Sequence, residues 1–263
     1  MMSRPCAVAG MFYPKDPARL GHLLGGFFNG TGPAKNATKG IVCPHAGYVY
    51  SGQIAAQAFS TISPDFSGTF VVIGPSHNGY LTCASAISWD TPIGTIETDE
   101  EFVTELDIPV DEMAQITEHS IEVQLPFIRY RFPKAKIAPV MMGEQDPAHA
   151  MAVAGKIVAA HRMTKRDIRI VASSDFSHYV PEAVARDGDL YAIQAVENLD
   201  VPEFYRRIRE KRLTVCGYGP ISAMITACLH MGAEKGELIR YGTSGDASGD
   251  RDAVVGYAAI AVM

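Results

Sequence analysis

The sequence alternates short, continuously apolar runs with longer segments whose apolar residues recur at helical spacing. Residues 69–73 (TFVVI) form the clearest run, and 41–43 and 168–173 have the same character. Strands that are apolar throughout are typical of parallel sheets covered by helices on both faces. Helical patterns such as 54–62 and 148–160 supply the long crossovers that parallel strands need. The alternation predicts an α/β fold: a three-layer single domain around a largely parallel, mixed sheet.

Composition excludes several classes of function. The chain has 263 residues, of which 47% are hydrophobic and 20% charged, so it can bury a core without disulfides or a structural metal. The net charge is −6 and no basic stripe is present, so we expect no nucleic-acid partner. No apolar stretch approaches the ~18 residues of a membrane span. The five cysteines form no CxxC pair and no secretory signal precedes them, which predicts a cytoplasmic protein with reduced thiols.

Two histidines follow predicted strands almost at once. His45 follows 41–43 after a single proline, and His77 follows 69–73 after a Gly-Pro-Ser turn. Ligands of open α/β sheets bind beyond the carboxyl ends of the strands. Imidazole is the commonest metal ligand, so two such rings at the ends of neighbouring strands are candidates to share one ion. The structural alternative is that each ring bonds a loop carbonyl.

Cys216 is a third candidate ligand. It precedes a Gly-x-Gly-Pro turn and a predicted helix start, where a helix N-terminus stabilises a thiolate. A thiolate suits Zn, Cu or Fe and is also a nucleophile. The alternative is a buried apolar cysteine, which is the interpretation we favour for Cys43, Cys83 and Cys228.

Four residues are candidates for acid–base chemistry. Asp175 and His178 flank a turn after the strand at 168–173, and an aspartate beside a histidine can orient the imidazole and raise its basicity. Glu118 and His119 offer a second pair. Asp175 has an equally good structural interpretation as a helix cap or turn residue.

Six segments in this order resemble the Memo family, whose prokaryotic members are often called AmmeMemoRadiSam system protein B. They are 7–14 (AVAGMFYP), 44–48 (PHAGY), 74–77 (GPSH), 118–122 (EHSIE), 173–178 (SSDFSH) and 216–220 (CGYGP). The resemblance covers nearly the whole chain and implies one Memo-like domain over residues 1–263. It also implies a fold similar to the class III extradiol ring-cleaving dioxygenases, the LigB-like group.

The resemblance further implies a metal site. The implied ligands are His45, His77 and Cys216, and the residues lining the same pocket are Asp175, His178 and His119. Dioxygenases of that fold hold Fe(II) with two histidines and a carboxylate, whereas Memo-like chains place a cysteine there. Ring cleavage therefore does not follow from the fold. We expect a divalent metal, with Fe(II) favoured and Cu or Zn as alternatives.

Three functions fit these features. The first is a non-haem iron or copper redox enzyme acting on an unknown small molecule or peptide, in which Asp175 or His178 moves protons. The second is a non-catalytic ligand- or peptide-binding module of a modification or signalling pathway. The third is a hydrolase with Cys216 as nucleophile, His178 as base and Asp175 as orienting acid. The family name also suggests association with radical-SAM and AMMECR-type proteins.

Overall fold

A computed structural model describes residues 3–35 and 37–263, in which strands and helices alternate along the chain. The strands are β1 (Ser3–Arg4), β2 (Gly40–Cys43), β3 (Thr69–Pro75), β4 (Cys83–Ala84), β5 (Ser88–Trp89), β6 (Lys136–Met142), β7 (Ile168–Ser173), β8 (His178–Val180), β9 (Gly236–Thr243) and β10 (Val254–Val262). The α-helices are α1 (Pro17–Asn29), α2 (Tyr48–Ser60), α3 (Glu100–Glu105), α4 (Glu112–Gln115), α5 (Leu125–Arg131), α6 (Pro147–Thr164), α7 (Glu182–Glu197), α8 (Val201–Lys211), α9 (Tyr218–His230) and α10 (Gly245–Ser248). A 3-10 turn at Glu122–Gln124 leads into α5.

The central sheet is mixed and mostly parallel, as predicted. Its strand order is β4-β6-β3-β7-β2-β10-β8, with β9 paired to β10 outside this row. Strands β6, β3, β7 and β2 run parallel, whereas β4 and β10 are antiparallel to their neighbours. The four parallel strands therefore present their carboxyl ends along one edge.

Helices cover both faces of this sheet, which confirms the three-layer prediction. Along β3, Val71 and Ile73 point into a core shared with α6 and α9, whereas Phe70 and Val72 point into a core shared with α2 and α5. All four side chains are fully buried, and each such burial contributes about 1.5–3 kcal/mol. The apolar character of the strand follows from this two-sided burial.

Helix α2 begins at Tyr48, well before the predicted start at 54. Gly52 disfavours a helix by propensity, but here its missing side chain lets two helices approach closely. A Cβ at this position would lie 2.4 Å from the ring of Phe27 on α1. Tertiary packing thus overrides local propensity, and the earlier start puts α2 directly behind the PHAGY loop.

Three other local predictions change. The apolar spacing of 121–128 predicts a single helix, but the structure has the 3-10 turn followed by α5, so that Pro126 falls in the first turn of α5, where its missing N–H costs nothing. The weak alternation over 83–97 predicts a hairpin or a sheet extension; β4 extends the central sheet by pairing with β6, while the rest forms β5, which pairs with β1, and an isolated Trp89–Ile96 bridge. His178, expected only to flank the turn after 168–173, begins a short strand, β8, that pairs with β10.

Burial of the cysteines agrees with the sequence analysis. Cys43, Cys83 and Cys228 are buried free thiols, while Cys6 and Cys216 are half-buried. Within 3–35 and 37–263, no helix has the length and apolar character needed to cross a membrane.

Candidate metal centre

The polar side chains singled out in the sequence meet beyond the carboxyl edge of the parallel strands. His45 follows β2, His77 follows β3 and Asp175 follows β7. Strand β7 lies between β2 and β3, so the expectation that the two histidine strands are neighbours is wrong. Short loops nevertheless bring the two imidazole centroids to 5.2 Å from each other across the end of β7.

His45, His77 and Cys216 form a compact set of potential ligands. One donor atom from each lies within 4.8 Å of the others. The Cys216 Sγ is 3.2 Å from His45 Nε2. Donor atoms that share one ion at about 2.0–2.3 Å lie roughly 3–4.6 Å apart, so this spacing suits a single metal ion.

Hydrogen bonds fix the tautomer of His45. The Ser173 hydroxyl donates its single proton to the carbonyl of Ser120 (2.6 Å) and accepts from Gln124 Nε2 (2.8 Å). His45 Nδ1 lies 2.9 Å from the same oxygen and must therefore be the donor. This leaves a lone pair on Nε2, which faces Cys216. Such outer partners fix ring orientation in known metal sites.

Glu118 plays the corresponding role for His77. Its fully buried carboxylate accepts from the backbone N–H (2.7 Å) and from Nδ1 (2.9 Å) of His77, and from the backbone N–H groups of His119 and Ser120. Burial raises the pKa of Glu118, but these hydrogen bonds outweigh it and hold the pKa at about 2. The carboxylate is thus ionised, and His77 keeps Nε2 free for a ligand bond.

The buried imidazole of His45 and the half-buried imidazole of His119 are held neutral. Burial, followed by the proximity of His77 and His119, lowers the pKa of His45 well below its usual value. Burial and the neighbouring His77 also lower the pKa of His119. Neutral imidazoles are the form that binds metal ions.

The ionisation of the Cys216 thiol differs from the expectation that a helix N-terminus stabilises a thiolate there. Helix α9 begins at Tyr218, beyond the cysteine, and does not dominate its ionisation. Burial and the nearby carboxylate of Asp175 raise the pKa of the Cys216 thiol, although the Asp175 N–H, 3.1 Å from Sγ, opposes this. A neighbouring cation is therefore needed to hold a thiolate at neutral pH, and a bound metal does so. Two imidazoles and such a thiol fit Fe, Cu or Zn.

Asp175 and His178 lie at this pocket but do not pair with each other in the described part of the chain. Asp175 Oδ1 accepts from the backbone N–H of His45 at 2.8 Å, and burial raises the pKa of Asp175 to about 6. His178 Nδ1 instead donates to the carbonyl of Thr214 at 2.8 Å. His45, and not His178, is the imidazole in contact with Cys216.

His119 completes the imidazole cluster. Its ring stacks on that of His77, with the centroids 4.4 Å apart. The ring of Phe12 also contacts it, at a centroid distance of 4.8 Å. His77, Glu118 and His119 form a second group whose potential ligand atoms lie within 4.8 Å of one another. In that group the carboxylate already accepts several hydrogen bonds, so we favour the set that contains Cys216.

A cavity of about 780 Å³ lies beside Phe12, the residue that contacts His119, and none of the candidate ligands lines it. Its walls come from residues 10–16, from α1 and from the first residues of α2, and they include Phe12 and Gly47. Phe12 is therefore shared by the cavity and the imidazole cluster. Met11 and Val49, both about three-quarters exposed, give its rim an apolar character.

Ser173 and Gln124 support His45 but were not predicted from the sequence. Ser173 lay in a recognised motif but as the last residue of a strand, and Gln124 lay in a segment with no chemical pattern. Their roles depend on partners far away in the chain. Only the polar character of strand ends pointed toward Ser173.

Loss of the Ser173 hydroxyl should weaken metal binding. In Ser173→Ala the Nδ1 of His45 loses its acceptor, so the ring is no longer fixed with Nε2 toward Cys216. We expect iron affinity to fall about 10–100-fold in competition with a chromophoric chelator. The matched control is Ser60→Ala, a buried serine of α2 that bonds only its own helix. Equal affinities for Ser173→Ala and wild type would contradict this orientation of His45.

Comparison with known proteins gives a consistent result. Residues 4–261 match the family of Memo-like proteins. The chain is 44% identical to a MEMO1 family protein of Methanosarcina barkeri, over 98% of this chain and 99% of the relative. It is 41% identical to one of Methanothermobacter thermautotrophicus (98% and 99% covered) and 42% identical to one of Archaeoglobus fulgidus (96% and 97% covered).

Proposed function

Because this chain belongs to the Memo-like protein family, we propose that the pocket at its sheet edge is a mononuclear metal site serving redox chemistry. The observation that carries the proposal is the convergence of His45, His77 and Cys216, with both imidazoles oriented by partners of their own. We propose Fe(II) as the native metal, with copper or zinc as alternatives, because this donor set accepts all three. A bound iron or copper ion would supply one-electron redox chemistry and a Lewis-acid centre.

The surrounding residues have separate tasks in this proposal. Glu118 holds His77, and Asp175 holds the backbone of His45, so both act as positioning groups. His119 is neutral, half-buried and beside both ligand imidazoles, which makes it our candidate for moving a proton to or from substrate. His178 is held by Thr214 at the edge of the pocket and is a second candidate.

We propose that the cavity beside Phe12 receives the substrate, an organic small molecule or a peptide segment. Its volume of about 780 Å³ falls in the range of ligand pockets, and its lining is mainly apolar. Phe12 would then contact both the substrate and His119.

Oxygen uptake tests the redox proposal. Protein loaded anaerobically with Fe(II) and supplied with a reductant should consume oxygen, and His77→Ala should abolish the uptake. His161→Ala, which removes a histidine from the surface of α6, is the matched control and should leave it unchanged. Oxygen uptake by His77→Ala as fast as that by His161→Ala would refute a redox role for this site.

The cysteine-hydrolase alternative makes a different prediction. A nucleophilic Cys216 should react quickly with iodoacetamide in the presence of a chelator. We expect instead a rate below that of a free thiol, because burial and Asp175 raise the pKa of Cys216. Rapid alkylation would favour the hydrolase over the metal site.

Two further proposals rest on the family resemblance and on composition. We propose radical-SAM and AMMECR-type proteins as partners, which co-purification from the source organism would test. We also propose a cytoplasmic location, which five free cysteines support. A purely ligand-binding role would be favoured if the loaded protein bound small molecules in the cavity without consuming oxygen.

A further inference from the structure

Gln145 connects the loop after β6 to the turn that carries Cys216. Its side-chain Nε2 donates to the carbonyl of Cys216 at 2.9 Å. Its Oε1 accepts from the backbone N–H of Gly219 at 2.8 Å. One amide side chain therefore bonds both ends of the Cys216–Gly219 turn.

The backbone of Gln145 is itself held in place. The hydroxyl of Tyr205 on α8 donates to the Gln145 carbonyl at 2.6 Å. The next residue, Asp146, caps α6 by accepting from the backbone N–H groups of Ala148 and His149. Gln145 thus stands between the end of a central strand and the start of a capped helix, which limits its movement.

The turn has little freedom on either side. A Cβ on Gly219 would lie 2.8 Å from the Cβ of Gln145, so the two backbones approach closely. On the other side the Gly217 N–H donates to Ser174 Oγ at 2.9 Å. Ser174 anchors the turn to β7 and Gln145 anchors it to β6, and Cys216 is held between them.

We infer that Gln145 is a positioning residue that sets the distance of the Cys216 sulfur from the two ligand imidazoles. The inference rests on the proposed metal function and adds a residue to it. Gln145 does not touch the metal position; it acts through the Cys216 backbone. Groups that act through a ligand in this way change metal affinity about 10–100-fold when removed.

Gln145→Met is the informative substitution, because methionine has similar length but neither donates to Cys216 nor accepts from Gly219. Gln145→Glu retains the acceptor for Gly219 and loses the donor to Cys216. The matched control is Glu144→Gln in the same loop, where the side chain contacts Thr82 and not the cysteine turn.

Co(II) is the probe, because a cobalt–thiolate bond gives a charge-transfer absorption that histidine ligands do not. Wild type and Glu144→Gln should show this band at one equivalent of Co(II). Gln145→Met should lose most of its intensity and bind Co(II) about 10–100-fold more weakly, with Gln145→Glu between them. A general loss of structure would not remove the thiolate band selectively while leaving the cobalt–histidine absorption.

A second arm needs no metal. Alkylation of Cys216 by iodoacetamide with chelator present, followed at the Cys216 peptide by mass spectrometry, should be at least several-fold faster in Gln145→Met than in wild type. Wild-type protein that binds no Co(II) would refute the proposed metal function, while the alkylation rates would still decide the role of Gln145. The inference would be overturned if Gln145→Met showed the same cobalt spectrum and the same alkylation rate as the wild-type protein.

Discussion

We expect the wild-type protein to retain stoichiometric iron after anaerobic purification, and His77→Ala and Cys216→Ser each to lose it. Each substitution removes one of three donors that lie within 4.8 Å of one another. Removal of a mere supporting group costs up to about 100-fold in metal affinity, so loss of a ligand should cost at least that much. Metal content by mass spectrometry, referred to protein concentration, measures the effect.

His119→Ala separates the two potential sites around His77. If iron is held by the set containing Cys216, His119→Ala should retain it. If iron is held by His77, Glu118 and His119, that variant should lose it and Cys216→Ser should not. Unchanged iron in both His77→Ala and Cys216→Ser would contradict the site assignment altogether.

Glu122→Ala should produce the largest loss of stability. Glu122 is fully buried and forms an ion pair with Arg4, itself only 2% exposed, at 2.6 Å. Its oxygens also accept from the Tyr13 hydroxyl (2.6 Å) and from the backbone N–H groups of Ala7 and Val8 (2.9 Å each). Removing one partner of a buried pair leaves an uncompensated charge, which costs about 3–5 kcal/mol.

Urea unfolding of Glu122→Ala, of a control variant and of a double variant measures this loss of stability. Glu122→Ala should lower the free energy of unfolding by the amount above, whereas Glu101→Ala, which breaks an exposed pair with Arg166, should cost only about 0.2–1 kcal/mol. The double variant Arg4→Ala/Glu122→Ala should be less destabilised than the two single losses added together. Additive losses would show that the pair is not coupled.

Glu122→Ala should also affect the candidate metal site. Glu122 ties the segment that carries Phe12 to the loop that carries His119. Arg4 also donates to the carbonyl of Glu118, the residue that holds His77. Loosening the N-terminal segment should therefore disturb both the cavity wall and the imidazole cluster.

The buried strands were the most predictable part of the fold. The run over 168–173 forms β7 (Ile168–Ser173), because a strand covered on both faces leaves a continuous apolar signal. The start of α2 was not predictable, since the helix includes Gly52, whose missing side chain leaves room for the ring of Phe27 on α1. Local propensity carries no information about such a contact.

The ligand positions were suggested by sequence, but what orients them was not. His45 and His77 follow buried strands, where ligands are expected in α/β folds. Glu118 was singled out as an acid–base group, and only the structure places it against His77. Ser173 and Gln145 reach their partners through sheet order and loop packing, which a single sequence does not encode in any local pattern.

A crystal of the wild-type protein soaked anaerobically in Fe(II) would locate the metal directly. We expect one iron ion with His45 Nε2, His77 Nε2 and Cys216 Sγ all within about 2.0–2.4 Å of it. An ion bound instead by His77, Glu118 and His119, or no ion beyond the carboxyl edge of β2 and β3, would contradict it.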